Sequence, residues 1–240
     1  MSEYPTPPKR RHFLIKAIAI GATPLAVSAA PVTTTPAPAP AAMPPVPAGY
    51  SCFSPDEAAF VETMVNIMCP ADSYTPNGVD CGLAVFIDRQ LAGAFGQGAG
   101  RYMSGPWEPA IPQAGLQLPM TPEQFFSAGV VAANRQCQAR HGKPFDQLDA
   151  ATADGFLQAL HAGRVTDAAL PLPDWFKQLM YPLFEQACFA DPMYGGNNGK
   201  VFWKMIGYPG LPATHTLDMV AYRGKPYPGA KDPKSIADFS

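Results

Sequence analysis

Charged side chains are scarce in this chain. They make up 15% of its 240 residues, and the formal net charge at pH 7 is −2. Ordinary soluble domains carry about 25% charged residues. A balance this close to neutral leaves no basic footprint of the kind that attracts a phosphate backbone. We therefore expect no nucleic-acid partner.

The sequence also lacks the common motifs of cofactor and catalytic sites. It contains no C-x-x-C and no C-x-x-C-H, which excludes a covalently attached c-type haem of the usual kind. Neither G-x-S-x-G nor H-E-x-x-H occurs. The glycine-rich stretch 93–100 misses the dinucleotide pattern G-x-G-x-x-G, because its third glycine would fall at Arg101. His141, His161 and His215 have no partners at the spacing of a site. We expect no cofactor, no metal and no catalytic residue in this chain.

Cysteines are few, and their number is odd. The five lie at positions 52, 69, 81, 137 and 188. At least one must be free, buried as a small apolar residue, or paired with another chain. We expect structural cysteines, either buried or disulfide-bonded, with Cys69 and Cys81 as a candidate disulfide pair.

The N-terminus has the three zones of a signal peptide. A basic stretch containing Arg10 and Arg11 precedes a short apolar stretch and a small-residue zone at 28–30. The arginine pair followed by Phe13 and Leu14 resembles the twin-arginine (Tat) export signal. Two alternatives are an ordinary secretory signal and an uncleaved anchor, although a spanning helix needs roughly 20 apolar residues. We expect residues 1–30 to direct export to the periplasm through the Tat translocase.

Proline sets the boundary between this signal and the folded part. Seven of the seventeen residues from Pro31 to Pro47 are proline. Such a segment builds neither a core nor a helix interior. The expected organisation is therefore a signal at 1–30, a linker rich in Pro and Ala at 31–49, a helical domain at 50–212 and an extended C-terminal tail at 213–240.

Helical patterns fill the predicted domain, whereas strand patterns are nearly missing. Ser54-Pro55-Asp56-Glu57 and Thr121-Pro122-Glu123-Gln124 are helix starts with capping boxes. Further helices are expected near 83–91, over 152–161 and from about 174, the last with a kink at Pro182. In the helix near 83–91, Leu83, Ile87 and Leu91 share one row and Asp88 is expected to turn away from it. The predicted fold is mainly α: one compact helical domain with long loops and an extended C-terminal arm.

Turn residues and aromatics are concentrated between positions 191 and 210. Tyr194-Gly195-Gly196-Asn197 is followed by Trp203 and Tyr208. Tyrosine and tryptophan are frequent anchors of protein interfaces, and glycine adopts backbone angles closed to other residues. We expect these six residues to form a partner interface, either directly or by fixing the loop. The alternative is that the aromatics only fill the domain's own core.

The same segment resembles a known family. The blocks 191–197 and 206–210, together with Trp203, are similar to the small (gamma) subunit of gluconate 2-dehydrogenase, the subunit 3 family. Residues 101–107, 145–148 and 155–163 look like that family too, so the resemblance runs from about Phe53 to Gly210.

The resemblance implies an accessory role in an oxidoreductase complex. Its large subunit would carry FAD, belong to the glucose-methanol-choline family and oxidise a sugar, polyol or sugar acid. A multi-haem cytochrome c subunit would pass the electrons on to quinone at the cytoplasmic membrane. The small subunit would supply the export signal and support folding of the signal-less large subunit. The alternative from the residues is a stand-alone periplasmic enzyme or small-molecule-binding protein.

Overall fold

The computed structural model describes residues 49–107, 117–212 and 214–239. Eight α-helices are found in these residues: α1 (Pro55–Met68), α2 (Leu83–Ala92), α3 (Pro122–His141), α4 (Ala150–His161), α5 (Leu172–Trp175), α6 (Tyr181–Phe189), α7 (Val201–Ile206) and α8 (Thr216–Ala221). The described residues contain no β-strand, only an isolated parallel bridge between Gly210 and Lys234. The mainly α prediction is confirmed.

Two helices, α1 and α3, begin at the capping residues that the sequence predicts. The Glu57 carboxylate accepts a hydrogen bond from the backbone N–H of Ser54 at 2.8 Å, and the Ser54 hydroxyl accepts from the N–H of Glu57 at 3.4 Å. Thr121 and Gln124 form the same reciprocal pair at the start of α3. These side chains satisfy N–H groups that the first helical turn leaves free. Both predicted helix starts are therefore confirmed.

The core forms around α1, which contacts α2, α3 and α4. The ring of Phe60 lies 4.5 Å from that of Phe145 and 6.0 Å from that of Trp175, measured between centroids. All three side chains are completely buried. Burial of apolar surface is the main term that favours folding, and it holds helices that are distant in sequence in one domain.

Asp88 on α2 lies inside the fold, although the sequence predicted that it would turn away from the apolar row of this helix. It is buried, with 2% of its surface exposed. Its carboxylate accepts three backbone N–H groups, from Ser51 at 2.7 Å, Cys52 at 2.8 Å and Phe53 at 3.1 Å. Buried donors need acceptors, and a carboxylate with several donors is stable away from water. The prediction was wrong because the segment before α1 crosses over α2 and requires this acceptor.

Pro182 changes the helical hydrogen-bond pattern. Between α5 and α6, residues Phe176–Met180 form a turn of π-helix, and the N–H of Tyr181 bonds to the carbonyl of Phe176. A proline in a helix has no N–H to donate and crowds the carbonyl four residues before it. The wider turn just before the proline accommodates it.

The segment after Pro209 has more structure than an extended arm. It contains α8 and two 3₁₀ turns, at Pro228–Lys231 and Ile236–Phe239. It then folds back, because the N–H of Lys234 donates to the carbonyl of Pro209 at 3.0 Å and the N–H of Leu211 to that of Lys234 at 2.8 Å. Lys200 holds the returning chain through the Pro233 carbonyl, at 2.9 Å, and the Asp238 carboxylate.

Candidate functional site

The loop 191–200 joins α6 to α7 and holds most of the residues predicted to form an interface. Asp191 begins it, with one carboxylate oxygen accepting from the N–H of Met193 at 3.0 Å. A 3₁₀ turn at Pro192–Tyr194 and another at Asn198–Lys200 follow. The Arg89 guanidinium of α2 donates to the Met193 carbonyl at 3.4 Å. The loop is thus fixed against α2 as well as between its own helices.

Two glycines allow the loop to approach its neighbours closely. A Cβ at Gly196 would lie 2.3 Å from the carbonyl oxygen of Ala187 on α6, a distance that real side chains do not reach. Gly195 has a φ of +108°, which side chains rarely permit. Both glycines are buried. Their role is to bring the loop backbone against α6 and α2.

Asn197 ties the end of α6 to the start of α7. It is completely buried, and its φ of +49° is one that asparagine tolerates better than most residues. Its side-chain amide donates to the Ala190 carbonyl at 3.2 Å, and its carbonyl oxygen accepts from the N–H of Phe202 at 3.0 Å. Asn197 therefore fixes the loop and exposes no surface of its own.

Trp203 is also a framework residue. Its side chain is buried, with 4% exposed, and its indole N–H donates to the carbonyl of Phe189 at 2.8 Å. Its ring packs edge-on against Tyr208 at 5.1 Å. Tyr208 and Tyr194 are 40% and 46% exposed. Of the six predicted residues, two thus present surface, whereas the other four hold that surface in place.

A further exposed aromatic residue, which the sequence pattern did not predict, lies beside both of these tyrosines. Phe189, the last residue of α6, is 48% exposed. It lines a groove that Tyr194 also lines, and a second groove that Trp203 and Tyr208 line. The available signal for an exposed aromatic here was the position of Phe189 just before the turn residues of 191–199. A helical pattern alone does not show which residues at a helix end stay outside the core.

Four of the five cysteines are buried, and Cys52 is half-buried. Burial raises the pKa of Cys81 to about 11, and those of Cys137 and Cys188 to about 12. The pKa of Cys52 is raised to about 11, mainly by burial. Because the thiolate is the nucleophilic form, these groups suit structural roles. All five cysteines are free thiols in the structure, although Cys69 and Cys81 both direct their sulfur at the Pro76 carbonyl, at 3.8 and 3.4 Å. Their pairing stays a prediction.

The histidines differ in their surroundings. His141 and His161 end α3 and α4 and are exposed, as expected for helix-end residues. His215 lies beside α8 with both ring nitrogens engaged: Nδ1 is 3.2 Å from the Asp218 carboxylate and Nε2 is 3.2 Å from the Gly210 carbonyl. Two acceptor partners leave this imidazole no free nitrogen for a substrate.

The described residues group no three His, Cys, Asp or Glu side chains in a way that could hold a metal ion. In the same part of the chain no helix has both the length and the apolarity to cross a membrane. The predicted export residues Arg10, Arg11, Phe13 and Leu14 lie outside the described residues, as do residues 31–48 of the predicted linker.

Comparison with known protein families gives a match for the part of the chain that contains the loop 191–200. No curated protein and no solved structure gave a significant match. The family model for gluconate 2-dehydrogenase subunit 3 matches residues 55–210. The match begins at α1, continues through α7 and includes the whole loop 191–200. Because it covers more than half of the sequence, the chain belongs to the gluconate 2-dehydrogenase subunit 3 family.

Proposed function

We propose that this chain is the non-catalytic small subunit of a periplasmic, membrane-associated dehydrogenase that contains FAD. The large subunit of that enzyme belongs to the glucose-methanol-choline class and oxidises a CH–OH group of a sugar, polyol or sugar acid such as gluconate. The observation that carries the proposal is the family match over residues 55–210, which makes the chain a subunit of a dehydrogenase complex.

The chain's own residues support an accessory role. Burial raises the pKa of four of its thiols, and the nitrogens of His215 are both engaged. The buried Asn197 side chain of loop 191–200 bonds to the backbone of Ala190 and Phe202. These groups serve the fold. On this proposal FAD is held by the large subunit and haem c by a multi-haem cytochrome subunit, so substrate specificity lies outside this chain.

The export signal supplies the second part of the proposed role. Arg10 and Arg11, followed by Phe13 and Leu14, address the chain to the Tat translocase, which moves folded proteins. A signal-less flavoprotein bound to the small subunit would cross the membrane with it. The small subunit therefore supports both the assembly and the localisation of the complex.

The double substitution Arg10→Lys/Arg11→Lys tests the proposal in cells that express both subunits. Receptor recognition of the arginine pair depends on guanidinium geometry that lysine does not reproduce. We expect both subunits and the sugar-dependent dehydrogenase activity to disappear from the periplasmic fraction. The control Lys9→Arg/Lys16→Arg keeps the pair and the positive charge, and it should export normally. Unchanged periplasmic activity in the double lysine variant would refute the export role.

A further inference from the structure

Two grooves lie on either side of Phe189. The first has a volume of about 470 Å³ and is lined by Phe86, Gln90, Gln186, Phe189, Ala190 and Tyr194. The second, of about 410 Å³, lies between Phe189, Trp203, Ile206 and Tyr208. We call these two grooves, with the exposed side chains of Phe189, Tyr194, Ile206 and Tyr208, the Phe189 face.

The Phe189 face exposes more apolar surface than isolated side chains do. Phe189, Tyr194 and Tyr208 are 40–48% exposed, and Ile206 is 56% exposed. With about 150–250 Å² for each aromatic side chain, these four alone leave roughly 400 Å² exposed. A contiguous apolar patch of that size is comparable to the largest patch on a typical monomeric protein, which is often a functional surface. The area is about half of the roughly 800 Å² that each partner contributes to a standard protein interface.

The backbone beneath the face is held rigidly. The carbonyl of Phe189 accepts from the Trp203 indole at 2.8 Å, and the next carbonyl, of Ala190, accepts from Asn197 at 3.2 Å. Tyr194 follows directly on Met193, whose carbonyl is held by Arg89. Since the face is already ordered, binding does not require its backbone to lose further conformational entropy. This rigidity favours a permanent protein partner.

The lining of the grooves carries almost no charge. Among the described residues it includes no lysine and no arginine, and its one carboxylate, Asp191, accepts the backbone N–H of Ile236 at 2.8 Å. A membrane-surface site would place basic residues around the apolar groups. Depletion of charge around aromatic side chains is instead characteristic of the core of a protein interface.

We propose that the Phe189 face is where the large, flavin-carrying subunit docks, with apolar side chains of that subunit entering the grooves on both sides of Phe189. This inference rests on the proposed function. The large subunit is the occupant because the chain's family is defined by membership in a dehydrogenase complex, and all four exposed residues lie within the matched range 55–210. The exposed apolar residues of α8, Leu217 and Val220, lie outside that range.

The test is co-purification of the flavoprotein with tagged full-length small subunit from cells that express both. Flavin absorbance per small subunit measures the bound partner. Phe189→Ser should lower it about tenfold, as expected for an aromatic anchor at the centre of an interface. Tyr194→Ser/Ile206→Ser provides a second variant, because these exposed side chains can be replaced even if Phe189→Ser impairs folding. Leu217→Ser/Val220→Ser is the matched control on another apolar surface and should retain all the flavin.

The outcomes separate the two proposals. Loss of flavin in the face variants, with a normal thermal melt and a normal control, supports docking at the Phe189 face. Full flavin in Tyr194→Ser/Ile206→Ser overturns docking there and leaves the proposed function intact. A wild-type subunit that retains no flavoprotein overturns the proposed function and the docking site together.

Discussion

Asn197 shows how one buried polar residue fixes a functional loop. It bonds to the carbonyl that follows α6 and to an N–H in the first turn of α7. Gly196 allows the approach that makes these bonds, because no Cβ fits beside the Ala187 carbonyl. The exposed Tyr194 next to them is positioned by this buried pair. At the scale of residues, the candidate interface depends on side chains that no partner would touch.

Replacing Asn197 by alanine should lower the free energy of unfolding by about 2–4 kcal/mol, since it removes the two hydrogen bonds of this buried side chain and leaves their partners unsatisfied. Urea unfolding of the wild type and the variant measures this loss. The neighbouring Asn198→Ala is the control: Asn198 is exposed and its side chain donates to the Asp80 carbonyl at 3.1 Å, so the loss should stay below about 1 kcal/mol. Equal losses in the two variants would contradict the assigned role of Asn197.

The helices show which parts of the fold are predictable from sequence. The starts of α1 and α3 depend on side chains three residues apart, so the printed sequence contains the whole signal. Asp88 is buried, although the helical pattern predicted that it would turn away from the apolar row. Its hydrogen-bond donors at 51–53 lie about 35 residues away in sequence, and their position depends on the finished fold. The returning C-terminal segment was missed for the same reason: Lys200 meets Asp238 only after the chain has folded back.

The candidate site was predictable to a similar extent. The turn residues of 191–197 indicated a fixed loop, and the structure has one. Which residues face outwards depends on how α6 and α7 pack, so sequence alone did not separate the exposed Tyr194 and Tyr208 from the buried Trp203. Phe189 was missed because its partial exposure also follows from that packing.

His215 makes the attachment of α8 dependent on pH. The Gly210 carbonyl and the Asp218 carboxylate, both acceptors, raise the pKa of His215 above its ordinary value. Only the doubly protonated imidazole can donate to both. Tyr227 shares the Asp218 carboxylate through a 3.1 Å hydrogen bond, and Lys225 lines the same groove. Because the folded pKa is raised, this stabilisation is complete below the ordinary histidine pKa of about 6.5 and is lost as pH rises through the folded value.

Hydrogen exchange of residues 214–222 should therefore become faster, after correction for intrinsic rates, between about pH 5.5 and about pH 8.5, a range that brackets the ordinary histidine pKa. The variant His215→Gln should show weaker protection and no change across this range. The Lys200–Asp238 pair holds the far end of the segment, and Lys200 keeps the pKa of Asp238 well below its usual value, so Asp238 stays ionised throughout this range. Protection independent of pH in the wild type would contradict a protonated His215.

The described residues combine a closed helical core with the apolar Phe189 face, whose lining carries little charge. The core is built around α1, and the Phe189 face lies at the junction of α2, α6 and α7. The family match includes both the core and this face. In the proposed complex, this chain would supply the docking face and the export signal, and the large subunit would supply the chemistry.

The most direct measurement compares the purified chain with the complex obtained by co-expression with the flavoprotein subunit. Native mass spectrometry, flavin absorbance and sugar-dependent dye reduction are recorded for both samples. We expect that the chain alone has no flavin band and reduces no dye, while the complex contains the 25.6 kDa chain (less any cleaved signal) with a flavin-loaded large subunit and is active. A flavin band that stays with the isolated chain through gel filtration, together with sugar oxidation by that chain alone, would contradict it.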